Sequence, residues 1–241
     1  AARAPARRLP RLPKSRRTRP KADAAAMTAP AQRRVLIGLA LDIALGAIAA
    51  LGQAPWGLWP ATLLALAAIL WRVGRAANGR IAAWRAGAAG AGYFALAMSW
   101  IIEPFLIEPE IYGWMAPFAL ILLAIGGGLF WALPGWIAGR FAPGWQARAA
   151  AFGAGLVLSD WLRGWIFTGL PWAQLGHVWV GTPVAQSAAY VGAIGLSAIT
   201  LCAAALPLAF WRLSPFQPRG ALPGLALAAL LIATLWVAGL N

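Results

Sequence analysis

Apolar runs broken by short polar or proline-containing segments fill the chain from residue 35 onward. They lie near 35–53, 58–73, 81–102, 114–138, 147–166, 184–211 and 221–240. A helix needs roughly 20 residues to cross a bilayer, and most of these runs supply them. The second run is short. The sixth is long enough that its first turns belong to the membrane interface or to a separate helix. The alternation of a half-buried strand occurs in none of them. The pattern predicts an all-α integral membrane protein, a polytopic bundle of about seven transmembrane helices. Residues 1–34 read differently: Arg, Pro and Ala with almost no acid, a composition that predicts a disordered basic tail. Met27 stands just before the first apolar run and is the expected position of the natural start.

Composition agrees with this reading. Hydrophobic residues make up 61% of the 241 positions and charged ones 11%, against roughly 45–50% and 25% in soluble domains. A net charge of +14 raises the question of nucleic acid. Such a partner needs a basic face on a folded, solvated surface. Here 11 of the 20 Lys and Arg fall in the first 34 residues and the rest punctuate apolar runs, so no nucleic-acid partner is expected. With the tail on the cytoplasmic side, one set of connections holds Arg72, Arg75, Arg80, Arg85, Arg140, Arg148, Arg212 and Arg219. The other holds Arg163 alone, with Glu103, Glu108 and Glu110. That asymmetry follows the positive-inside pattern for seven spans with the C-terminus outside. A single cysteine excludes an internal disulfide, and no Cys or His spacing suggests a metal or cofactor site.

Chemistry concentrates in DWLRGWIFTGLPWAQLGH, residues 160–177. Asp160 and Arg163 share a helix face at a spacing of three and can pair. Two readings stand: a salt bridge that pins the helix end, or an Arg163 that also holds a lipid phosphate, whose oxygens match a guanidinium fork. Pro171 lacks an N–H and biases Leu170 to extended geometry, so the chain turns after Thr168 and Gly169. Trp172, Gln174 and His177 are then presented from a loop. His177, the only histidine, is a candidate general base by its ordinary pKa of about 6.5. It has no Ser or Asp at a partner spacing, so an interfacial polar tip is the simpler reading. Asp42, inside the first run, calls for a partner or a polar cavity. Cys202 sits in an apolar run as a small hydrophobe. Gly126, Gly127, Gly128, Gly135 and Gly139 allow close helix approach. No nucleophile, base and orienting group can be assembled by spacing, so the residues support binding and holding, with no catalytic residue in this chain.

The segment LRGWIFTGLPWAQLGH, residues 162–177, resembles the signature of the apolipoprotein N-acyltransferases, bacterial membrane enzymes of lipoprotein maturation. Three further segments are similar to that family in order. They are the turn APWGLWP at 54–60, Ser99-Trp100, and TPVAQSAAYVGAIGLSAITL at 182–201. The resemblance covers about residues 35–240. Asp160 stands where the family has Glu, and Leu170 where it has Phe.

The resemblance implies a membrane bundle that binds a phospholipid acyl donor and a lipidated apolipoprotein acceptor. It also implies an extracytoplasmic nitrilase-like domain whose Glu-Lys-Cys triad transfers the acyl group to the acceptor's N-terminal cysteine. Positions that match the family motif are Arg163, Gly164, Thr168, Gly169, Pro171, Trp172 and Gly176, with Asp160 as a conservative stand-in. With Gln174 and His177 of the same loop, the expected substrate-binding set is Asp160, Arg163, Thr168, Gly169, Pro171, Trp172, Gln174 and His177. The only lysines are Lys14 and Lys21, in the tail, and the only cysteine is Cys202. The chain alone is therefore expected to lack the triad and to be inactive. The implied location is the bacterial inner membrane, with the N-terminus cytoplasmic and the C-terminus periplasmic. A non-enzymatic lipid-binding scaffold and a small transporter are the alternatives. The transporter class usually shows paired broken helices in two repeats, and only the break near Gly169 is evident.

Overall fold

Long apolar stretches must satisfy their backbone groups internally in lipid, and helices do so within one segment. The computed structural model describes residues 29–166, 169–211 and 218–240, and among them every regular element is helical. The elements are α1 (Ala29–Ala50), α2 (Trp59–Gly74), α3 (Gly79–Ala97), the single turn α4 (Pro109–Tyr112), α5 (Ala116–Phe141), α6 (Gly144–Arg163), α7 (Ala188–Ala209) and α8 (Leu222–Ala238). Shorter 3₁₀ turns occupy Ser99–Leu106, Leu175–Trp179 and Pro183–Ser187. α1 starts inside the segment read as a disordered tail. Gln32, Arg33 and Arg34 are good helix formers and extend the apolar run backward. Residues 1–28, including Met27, lie outside the described residues, as does Thr168.

Two helical stretches, Pro109–Phe141 and Pro183–Ala209, are long and apolar enough to cross a membrane by length and composition. Gly79–Ala97 with Ser99–Leu106 makes a third if that pair, bent by 45°, is one span. Trp59–Gly74 and Leu222–Ala238 are shorter apolar helices. The remaining two long helices carry charges, Arg33, Arg34 and Asp42 on α1 and Arg148, Asp160 and Arg163 on α6.

α3 packs between α1 and α5, while α2 packs against α1, α6 and α7. Small residues set these distances. A methyl group on Gly92 would run into the Ile43 carbonyl, and one on Gly46 into the Ala89 carbonyl, so α1 and α3 touch backbone to backbone. Gly127 faces the Phe94 ring, and Gly128, Gly135 and Gly139 lie against α3. Gly126 meets nothing within 4 Å, so the packing role expected of it is absent. The main core gathers Leu66, Ile69, Leu70, Tyr93, Phe94, Trp131, Phe152 and Leu156. Large apolar side chains cover the flanks instead of water-soluble ones, among them Ile121, Leu122, Leu129 and Leu133 on α5 and Leu225, Leu230 and Val237 on α8. An apolar surface on that scale needs a non-aqueous neighbour. This is an all-α membrane protein.

Asp42 finds its partner within the bundle. Its two carboxylate oxygens accept from Arg72 Nε and Nη2, joining α1 to α2, with the Nη2 bond at 3.0 Å. Arg72 Nη2 also donates to the Gly38 carbonyl, and Arg85 donates to the Arg72 carbonyl. Arginine thus gathers where α1, α3 and α6 begin and α2 and α5 end. The opposite end of the bundle receives the ends of α3 and α6, and there Glu103, Glu108 and Glu110 are exposed.

Candidate functional site

The segment after α6 is held by its two charges. Asp160 and Arg163 are 1% and 3% exposed, on the face of α6 that also buries Phe152, Leu156 and Ser159. Arg163 Nη2 donates to Asp160 Oδ1 at 2.6 Å. Arg163 Nη1 donates to the Trp172 carbonyl at 2.9 Å and to the Leu170 carbonyl at 3.4 Å, and the guanidinium lies 4.7 Å from the centre of the Phe94 ring. The arginine fork thus reads backbone carbonyls of the following loop. Its Nε is buried with no hydrogen-bond partner among the described residues.

Asp160 is the hub. Its Oδ2 accepts from the Leu175 backbone N–H at 2.9 Å and from Ser197 Oγ of α7 at 2.7 Å. Ser197 Oγ accepts in turn from the Gly176 N–H at 2.9 Å. Gly176 is pressed onto α7 so closely that a methyl group would sit 2.5 Å from the Ala193 carbonyl oxygen. Gly169 has φ of 87°, which disfavours any side chain, and a methyl there would lie 2.6 Å from the Gly164 carbonyl. The loop is therefore pinned by a buried charge pair, and the unpaired charge that this arrangement avoids would be costly.

A second clamp comes from the other side. Gln53, just after α1, donates through Nε2 to the Tyr93 hydroxyl at 2.6 Å and to the Gln174 carbonyl at 2.9 Å. Tyr93 stacks on Trp131 at 5.3 Å. Farther along, Trp179 is buried, donates to Thr200 Oγ1 at 2.8 Å and packs on Trp59 at 5.2 Å. Trp59 also meets Trp236 at 6.2 Å, so it lies within helix packing. Trp56 of the same turn is exposed.

What the clamps present is aromatic. Trp172 is 56% exposed and meets Trp100 edge-on at 5.7 Å, and Trp165 is 73% exposed. An apolar cavity of about 350 Å³ adjoins the loop, lined by Phe94, Leu122, Gly126, Phe130, Arg163 and Leu170 among others. Leu122 is exposed on the flank of the bundle.

Of the residues expected at the site, Asp160, Arg163 and the backbones of Trp172 and Gln174 converge on one network, Gly169 lines the adjoining cavity with Arg163, and Pro171 is exposed beside Trp172. His177 is half-buried in the turn Leu175–Trp179, and its ring has no hydrogen bond among the described residues. Burial pulls its pKa below the usual value. The Asp160 charge opposes that pull, and Arg163 reinforces it. Sequence reading did not single out Gln53, Tyr93, Ser197, Thr200 or Trp179. A polar residue within an apolar run was the available signal for Ser197 and Thr200, but spacing along the chain does not say what lies across the bundle. Cys202 is exposed on α7.

The model of the apolipoprotein N-acyltransferase N-terminal domain matches residues 45–206, the stretch that contains both clamps and the loop between them. The chain belongs to this family. Among curated relatives named apolipoprotein N-acyltransferase, that of Caulobacter vibrioides is 40% identical over 200 residues, and that of Rhizobium etli 33% over 205. Each alignment takes in 80% of this chain and 37% of the relative. That of Ralstonia nicotianae is 34% identical over 188 residues, 74% of this chain and 36% of the relative. The chain thus spans little more than a third of the length of the N-acyltransferases it matches.

Proposed function

We propose that this chain is the membrane part of an apolipoprotein N-acyltransferase, which receives a phospholipid acyl donor and a lipidated apolipoprotein acceptor. The observation that carries this reading is the Asp160 network, read together with the family match. Three donors on one buried carboxylate hold the loop that presents Trp172 beside an apolar cavity. In this reading the cavity takes apolar chain, and Trp172 with Trp100 forms a rigid aromatic edge at headgroup depth, where indoles are favoured. Arg163 acts as a positioning residue. Its forked donors bind the loop carbonyls, so it reaches a lipid only through the loop it shapes. Gly169, Pro171, Gln174 and His177 contribute shape, and Thr168 belongs to the same segment by sequence.

No residue described above is positioned as an acyl-accepting nucleophile. The acyl transfer itself is assigned to the remainder of the relatives' length, and the 241-residue chain alone is expected to be inactive. The bundle crosses the inner membrane seven times, with the arginine-rich end cytoplasmic and the loop periplasmic.

A graft tests this reading. Residues 45–206 replace the matching segment of the Caulobacter vibrioides relative in cells depleted of their own enzyme, and lipoprotein N-acylation is read by mass spectrometry. Restored N-acylation is expected, with loss when Asp160→Asn is added. A graft that inserts and accumulates normally but leaves lipoproteins unacylated would sink the proposal.

A further inference from the structure

The arginine-rich end has a feature of its own. Three of its arginines are committed inside the protein: Arg72 to Asp42, Arg85 to the Arg72 carbonyl, and Arg148 to the carbonyls of Ala76 and Ala142. The side chains of Arg75, Arg80 and Arg140 are exposed and make no hydrogen bond or ion pair among the described residues. Asp42 is the one described carboxylate at this end, and Arg72 occupies both of its oxygens.

Arg75 is nevertheless held in place. Its guanidinium lies 5.6 Å from the centre of the Trp71 ring and 5.7 Å from that of Trp145. A cation over indole faces keeps its N–H edges for an anion. Arg148 ties the start of α6 to Ala76, next to Arg75, and Gly79 lies against Arg140 of α5. The three free charges thus surround the short turn between α2 and α3. Exposed Trp71, Trp84, Trp136, Phe141 and Trp211 accompany them, a set of aromatics suited to headgroup depth. Next to Trp145 along α6, an apolar groove of about 300 Å³ runs between α6 and α7, lined by Gln146, Ala149, Ala150, Ala205 and Leu208 among others.

We propose that this end carries an anionic-phospholipid site, in which Arg75, bracketed by Trp71 and Trp145, takes the headgroup phosphate. Arg80 and Arg140 select a headgroup of net negative charge, because a zwitterionic lipid would bring its cation toward them. The aromatic surround excludes a soluble polyanion, since the ligand must present its anion beside apolar surface. The adjoining groove receives part of an acyl chain. This site lies at the opposite end of the bundle from the Asp160 network and does not depend on the acyltransferase reading.

The test is a lipid titration of the 241-residue chain in detergent micelles, with bound lipid counted by native mass spectrometry. The probes are phosphatidylglycerol and phosphatidylcholine with the same acyl chains. Phosphatidylglycerol is expected to bind more tightly. Arg75→Gln should weaken it about fivefold, the effect of one basic side chain near an anionic lipid surface. Arg75→Gln/Arg80→Gln/Arg140→Gln should erase the preference, and Glu108→Gln at the far end should leave it intact. Equal binding of the two lipids, or a preference that survives the triple substitution, overturns the proposal. If the triple variant does not fold, salt decides on the unaltered chain. The preference should shrink by about 0.5 M NaCl, where screening reaches a few ångströms, and a preference indifferent to salt overturns it equally.

Discussion

Asp160 accepts three hydrogen bonds and one positive charge at two oxygens, so its replacement is expected to do more than delete one contact. Asp160→Asn leaves Arg163 buried without its counter-charge. Breaking one partner of a buried pair typically costs about 3–5 kcal/mol. Ser197→Ala removes one of the three donors to Asp160 but no charge, and leaves the Gly176 N–H unpaired, which costs about 1–3 kcal/mol. Thermal unfolding in detergent should rank the two in that order, and an Asp160→Asn cost no larger than that of Ser197→Ala would contradict the hub role. Arg163→Lys should rescue little relative to Arg163→Ala, because an ammonium cannot hold Asp160 and the Trp172 carbonyl with a fixed fork. His177 gives the site a pH dependence whose sign follows from burial. Its neutral form is favoured in the fold, so below about 6.5 the unfolded chain takes up the proton first. The contribution is complete above that pH and is lost as the pH falls toward the lowered folded value. The unfolding midpoint should therefore drop on acidification through pH 6.5, and His177→Gln should flatten that drop. An unchanged slope in the variant would assign it to other groups. The sequence showed the Asp160–Arg163 pairing because it is local, three residues apart on one helix. It could not show that Ser197, 37 residues on, completes the carboxylate's shell.

Between elements, the distances are set by glycines that differ in what surrounds them. Gly92 of α3 lies against the Ile43 carbonyl of α1, whereas Gly126 of α5 faces open space. Gly92→Ala must force two backbones apart and is expected to destabilise by about 1–3 kcal/mol, the usual cost of overpacking. Gly126→Ala meets no such barrier and should gain up to about 1 kcal/mol from helix propensity. Melting curves of the two variants should move in opposite directions, and a loss at Gly126 matching that at Gly92 would mean the α5 flank is not open. Hydropathy made the helices legible because an apolar run in lipid has few other ways to satisfy its backbone. It could not tell Gly126 from Gly127, since adjacent helical residues point about 100° apart and only the neighbouring helix decides which one is covered. The bend after α3 was equally hidden, whereas the non-helical Gly192 within α7, with φ of 67° and ψ of 178°, falls where the length of the sixth run allowed a separate first helix. Both interrupt apolar sequence without changing its hydropathy.

For the molecule as a whole, charge and connectivity bear on the same question of which end faces which side. α1 begins at the arginine-rich end, beside Arg72. α8 finishes at the other, where Gly239 packs against the Pro183 backbone ahead of α7. The described chain therefore starts and ends at opposite ends of the bundle, as an odd number of crossings requires. With Arg75, Arg80 and Arg140 uncommitted at one end and Glu103, Glu108 and Glu110 exposed at the other, the positive-inside pattern predicts a bundle with α1 starting in the cytoplasm, the orientation proposed above. An alkaline phosphatase fused after Leu240 should then be active in a bacterial host, and a fluorescent protein fused at the same point should stay dark. Cysteine scanning in a Cys202→Ala background gives an independent reading. Glu108→Cys should react with an impermeant maleimide from the periplasmic side, and Arg80→Cys only after the inner membrane is opened. The reverse labelling would invert the molecule and put the Asp160 loop in the cytoplasm. Labelling of both sites from one side would mean that α3 does not cross the membrane, and the distribution of charge would then need another explanation.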